Sequence, residues 1–199
     1  MKVLKGTIGL NASGRRRTNV EERKMKFLRS LAILSVGLTA MMSAGQEMGP
    51  SPELKKMDWM IGKWSGNVKW SIPGTPETEA PMDYECTWDG NFIKSSSTME
   101  MAGMGKMTET GYLGWDAKNS KYVMYVFTNF SHDPRIERGT LDGNKLLMVS
   151  DPFNVQGQDI VGRATQTRKD DGSVHFLLEF KMGEEWAKVA EGTFKKKNS

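Results

Sequence analysis

The chain has 199 residues, 38% of them hydrophobic, with 28 Lys+Arg against 24 Asp+Glu, one cysteine and two histidines. A single cysteine excludes an internal disulfide, so the fold must be held by its core. Nine of the basic residues lie before residue 45 with Glu21 and Glu22, leaving 19 Lys+Arg against 22 Asp+Glu and a net −3 beyond it, which removes the basic balance as a sign of nucleic-acid binding.

Residues 1–24 are polar and basic, carry Arg15-Arg16-Arg17 and have no apolar period; they read as an unstructured extension or a mis-assigned start. Residues 25–45 read as a signal peptide, with Lys26 and Arg29 in front of an apolar run from Leu31 to Met42, too short for a spanning helix. Ser43 and Gly45 suit the cleavage positions and give a mature chain from Gln46; cutting after Ala44 is the alternative. Arg16-Arg17 lies too far from the apolar run for a twin-arginine signal, and no cysteine stands at the cleavage point to carry a lipid anchor. The expected location is periplasmic or secreted, with no stable membrane anchor after cleavage.

Residues 46–62 form a linker and a short helix. Leu54, Met57 and Ile61 recur at helical spacing behind an Ser51-Pro52 cap, and Gly62 ends the helix. The period then changes to two, with Trp64, Gly66, Val68 and Trp70 on one face of a strand. Residues 63–199 are expected to be all sheet. Met82–Trp88 puts Tyr84, Cys86 and Trp88 on one face, and Asp89-Gly90-Asn91 turns it into Phe92–Met99.

The turn region Met101–Lys106 leads to strands at Met107–Trp115 and Tyr122–Thr128. The second of these is apolar on both faces, so the helix or a partner is expected to cover its outside. Ile136–Thr140, Lys145–Ser150, Ile160–Arg168, Ser173–Phe180 and Trp186–Phe194 follow, with Asp151–Gln158 as a longer loop. Short connections require antiparallel neighbours, and closing such a meander removes its edges. The expectation is an antiparallel up-and-down β-barrel of about ten strands with the short helix closing one end. An edge left open would allow pairing with a second copy.

A helix followed by Gly62-Lys63-Trp64-Ser65-Gly66 at the first strand of an all-β chain resembles the calycin superfamily, the lipocalins and their relatives. With Ile72-Pro73-Gly74, Asp89–Ile93, Gly111–Asp116 and Lys121-Tyr122-Val123 the chain more specifically resembles the bacterial domain-of-unknown-function family 1579, over residues 54–197. That family has no assigned reaction. The resemblance implies a structural role for Gly62, Trp64 and Gly66: the tryptophan plugs the closed end, with a cation from the last strand, Lys195 or Lys188, stacked on it.

A barrel of this size encloses packed side chains or one small ligand. Trp70, Tyr84, Trp88, Met99 and Met124 are the candidates to line an apolar, adaptable pocket; the alternative is that they fill the core. Catalysis finds little support, since His132 and His175 are far apart, Cys86 faces inward, and no nucleophile or metal-ligand motif is present. A carboxylate pair assembled from distant strands remains the route to a barrel enzyme. Nitrobindin-like barrels, which also open on Gly-x-Trp-x-Gly, bind haem through a late-strand histidine, but His175 shares a face with Leu177 and Glu179 rather than with Phe176, Leu178 and Phe180. Met99, Met101, Met104 and Met107 have the thioether density that suits Cu(I), although methionine is used throughout as filler. The reading is a non-enzymatic binding barrel for a small apolar or amphipathic molecule, without metal or cofactor.

Overall fold

The computed structural model describes residues 49–197 apart from Pro73, Thr75, 102–104 and Gln156. The leader and the centre of the methionine-rich hairpin lie outside the described residues. Ten strands close into one antiparallel barrel. They are β1 (Gly62–Trp70), β2 (Thr78–Asp89), β3 (Phe92–Met101), β4 (Gly105–Asp116), β5 (Lys121–Thr128), β6 (Arg135–Asp142), β7 (Lys145–Ser150), β10 (Gly162–Arg168), β11 (Val174–Met182) and β12 (Glu185–Lys196). The remaining two, β8 (Phe153–Val155) and β9 (Gln158–Ile160), form a separate hairpin where the sequence suggests only a loop. Asn154 Oδ1 accepts from Gly157 N at 2.9 Å, and Gly157 adopts φ +87°, so the turn is made by a side chain and a left-handed glycine. The excursion leaves β7 free to pair directly with β10.

Closure depends on how near β1 and β12 can come. Gly66 stands opposite Phe194 and Gly192 opposite Val68, so each pair sets a glycine against a bulky inward side chain. A Cβ on Gly192 would lie 2.5 Å from the Asn67 carbonyl oxygen, and one on Gly66 would strike the Thr193 carbonyl. Only glycine permits this approach.

The helical segment is tighter than its spacing suggests. Ser51 Oγ accepts from Leu54 N at 3.1 Å and caps α1 (Pro52–Lys55), after which a 3-10 turn runs Asp58–Met60. The buried residues are therefore Leu54, Met57 and Met60, a three-residue period that turns Met60 rather than Ile61 inward. They pack on Cys86, Ile93, Leu113, Tyr122 and Leu146 at one end of the barrel. Tyr122 Oη donates to the Glu53 carbonyl at 2.8 Å and Trp88 Nε1 to Asp58 Oδ1 at 3.1 Å, fixing both halves of the segment to the sheet. Gly62 does not end a helix; it opens β1 at φ +130°.

Trp64 lies in a second cluster with Val68, Met99, Val174, Ala190 and Phe194. Trp64 Nε1 donates to the Met60 carbonyl at 2.8 Å, Tyr84 stacks on its ring at 5.8 Å, and Phe194 meets Tyr84 edge-on. The cation over Trp64 is Lys196, 5.7 Å from the ring, rather than Lys195 or Lys188. Lys196 faces Trp64 across β1–β12 and is in phase with Phe194, whereas Lys195 points outward and Lys188 bonds Glu191. Its stem crosses Gly62, where a Cβ would lie 2.5 Å from Lys196 Cε. On β5 the outward residues Tyr125 and Phe127 are 45% and 50% exposed; the helical segment covers the barrel end, not this face.

Candidate functional site

Period-two alternation turns a row of side chains inward on the strands around β6. Leu113 pairs with Met124, Met124 with Glu137, and Glu137 with Ser150, so one continuous inward row carries apolar and polar groups together. A parallel row runs from Gly139 to Met148 and on to Ala164. Between them is a cavity of about 30 Å³. Its apolar wall is Met60, Ile93, Leu113, Met124, Leu146, Met148 and Ala164, and its polar side is Ser95, Glu137 and Gln166.

Two inward glycines make room for it. A Cβ on Gly111 would meet Met124 Cε and lie 2.7 Å from Ser95 Oγ, and one on Gly139 would strike the Leu147 carbonyl and lie 2.5 Å from Met148 Sδ. These positions let the two methionines lie flat against the sheet beside the cavity.

Toward the end away from α1, the polar side continues into a charged cluster. Arg135 Nε donates to Glu137 Oε1 at 2.7 Å and Arg135 Nη2 to Glu109 Oε2 at 3.3 Å, so one guanidinium ties β6 to β4. Glu137 is 8% exposed and the Arg135 side chain 22%. Phe153, from the β8–β9 hairpin, lies over the guanidinium at 5.3 Å and meets Phe180 edge-on. The β8–β9 hairpin thus roofs the cluster. Burial pushes the Glu109 carboxyl above its ordinary value, and the charge of Glu137 adds to this against the pull of Arg135. For Arg135 burial disfavours the charge, but Glu109 and Glu137 outweigh it and raise its pKa.

Gln166 Oε1 is the cavity's anomaly. It is buried, and among the described residues no protein donor reaches it. A buried carbonyl left wholly without a donor is destabilising by about 1–3 kcal/mol, so this oxygen is an acceptor open to a donor from whatever occupies the cavity.

Of the five pocket residues expected from sequence, Met124 lines the cavity. Trp70 donates through Nε1 to Met99 Sδ at 3.3 Å, and Tyr84 is stacked on Trp64; these three belong to the Trp64 cluster. Trp88 holds Asp58 at the barrel end. Sequence reasoning passed over Ser95, Glu137 and Gln166 because it searched for apolar types. The signal available was phase: Ser95 shares a face with Ile93, and Glu137 with Gly139.

His175 faces outward opposite Thr167 and Thr193, on the side where Arg163 bonds Glu179 at 2.7 and 2.8 Å and covers Trp186 at 4.4 Å. His132 is exposed in the β5–β6 loop. Cys86 is buried, and burial pushes its thiol up to about 12, which makes it a packing residue rather than a nucleophile. Among the described residues no group of three or more His, Cys, Asp or Glu is arranged to hold a metal ion.

These features define a closed, lipocalin-like antiparallel β-barrel with a partly polar interior. The chain belongs to a family of proteins of unknown function, DUF1579, whose model matches residues 49–196. Among solved structures it is similar to the crystal structure of Rv2717c from M. tuberculosis, with TM-score 0.59 and 14% identity over 75% of this chain and 99% of that one. A likeness at that identity is one of fold. No curated protein matches the chain.

Proposed function

We propose that this is an exported barrel that holds a small amphipathic molecule without transforming it. The observation that carries the reading is the donor-less carbonyl of Gln166 in the wall of a cavity otherwise bounded by methionine and aliphatic side chains. A ligand with an apolar body and one polar end satisfies both surfaces. About 30 Å³ is room for roughly two water-sized groups. The body of a ligand therefore has to displace side chains, and Met60, Met124 and Met148 are the type that repacks most readily. Binding without chemistry is favoured because Glu137 and Glu109 are held by Arg135 and neither a histidine nor a cysteine lines the cavity beside them. Export rests on the leader sequence, with Gln46 as the expected first residue.

The test is native mass spectrometry of the protein purified from a bacterial periplasm, alongside Ala164→Val, which adds two methyl groups at the cavity wall. The expected result is a chain beginning at Gln46 that carries an organic adduct, with the adduct reduced in the variant. A bare chain that also leaves amphipathic fluorescent probes unbound would overturn the ligand reading. A chain retaining Leu31–Met42 would overturn export.

A further inference from the structure

We infer that the polar end of the ligand is a primary ammonium, so that the cavity takes a small alkylamine. This rests on the binding reading above and specifies its chemistry. The inference starts from a charge count. Glu109 and Glu137 face one guanidinium, and among the described residues neither carboxylate pairs with any cation besides Arg135. The cluster is one positive charge short. The Glu109 side chain is 25% exposed and meets solvent, whereas Glu137 is buried at the cavity, so the shortfall is felt at Glu137 and a cationic ligand there supplies the missing charge.

The second observation is independent of the acids. Gln166 Oε1 is an acceptor, buried at the same cavity and, among the described residues, without a protein donor. An ammonium carries three donors and no acceptor. Three strands bring three oxygen-bearing side chains to the cavity: Ser95 from β3, Glu137 from β6 and Gln166 from β10. A compact ammonium matches them in number and suits the small volume. A carboxylate head would place a third negative charge beside Glu137, with Arg135 already shared between two acids. An alcohol would satisfy the Gln166 carbonyl and leave the charge uncorrected. The hydrocarbon tail would lie against Met124, Met148 and Leu113.

The experiment is isothermal titration of the purified protein with hexylamine, hexanol and hexanoate at neutral pH, repeated with Glu137→Gln and Gln166→Met. Hexylamine is expected to bind at least about tenfold more tightly than hexanol, with hexanoate weakest. Glu137→Gln keeps the side chain's shape and an oxygen for Arg135, and is expected to abolish the preference for amine while changing hexanol affinity less than about twofold. Gln166→Met should weaken both amine and alcohol, and it tests the site independently should Glu137→Gln fail to fold. Equal binding of amine and alcohol, or a preference for amine that survives Glu137→Gln, overturns the ammonium assignment and leaves the binding barrel standing. Absence of binding by all three compounds overturns both.

Discussion

Replacing Arg135 by methionine is expected to destabilise the protein by up to about 3–5 kcal/mol at pH 8 and by much less at pH 5, because the substitution leaves the buried carboxylate of Glu137 and the partly buried one of Glu109 without their shared cation. Glu137 is nearly inaccessible and Glu109 is held within reach of the same guanidinium, so in the variant the two repel each other inside the barrel. Such a pair takes up a proton at a pH where the unfolded chain has already lost it. Its folded-state pKa lies above the unfolded value, so stability is greatest below the unfolded pKa and falls as pH rises through the folded one. The wild type has the same sign on a smaller scale. Glu109 is raised above 4.5 mainly by burial, and its contribution should decline as pH rises from about that value. Equilibrium unfolding in urea at the two pH values measures this. A loss independent of pH would show that Arg135 acts through its packing against Phe153 rather than through charge. Glu109→Gln in the methionine background should restore part of the loss at pH 8, since it removes the repulsion and keeps the side chain's volume.

How far the sequence reveals this protein depends on whether a residue's type or its partner sets its role. The strands follow from type and period. Trp64 and Val68 alternate with Ser65, Asn67 and Lys69, and only one face of such a strand can be buried. The tight turns follow from glycine, with Gly90 at φ +57° and Gly143 at φ +56° where Asp-Gly-Asn motifs stand. The cation on Trp64 depends on phase at the very end of β12, where one residue separates the outward Lys195 from the inward Lys196.

The polar cluster was less legible still. Arg135-Ile136-Glu137-Arg138 carries charges on both faces of β6, and nothing in those four residues tells which face is inside. The answer comes from neighbours: Arg135 is opposite Val126 and Glu137 opposite Met124, both inward on β5. The β8–β9 hairpin is not legible in the sequence because three-residue strands are too short for an alternation to register, and the role of Phe153 as a roof is hidden with it. Of the large side chains that are the natural candidates for a pocket, Trp70, Tyr84 and Met99 instead pack around Trp64.

Trp64→Ala is expected to cost about 3–5 kcal/mol, the range for removing a large buried aromatic. Three losses coincide at this residue. The indole is 2% exposed, so its removal opens a cavity that the surrounding strands can fill only partly. The Met60 carbonyl loses its donor, and Tyr84 and Lys196 lose the ring they lie against. Trp64→Phe separates these effects, because it keeps most of the apolar volume and removes the N–H. That variant should lose about 1–3 kcal/mol from the unmatched carbonyl and the smaller ring. Because Met60 also lines the cavity, the hydrogen bond links Trp64 to the cavity wall. Hydrogen exchange should therefore quicken in Leu54–Ile61 in Trp64→Phe before it does so in β5 or β6. If exchange rises evenly across the barrel instead, Trp64 stabilises the whole sheet and does not specifically anchor the segment that closes it.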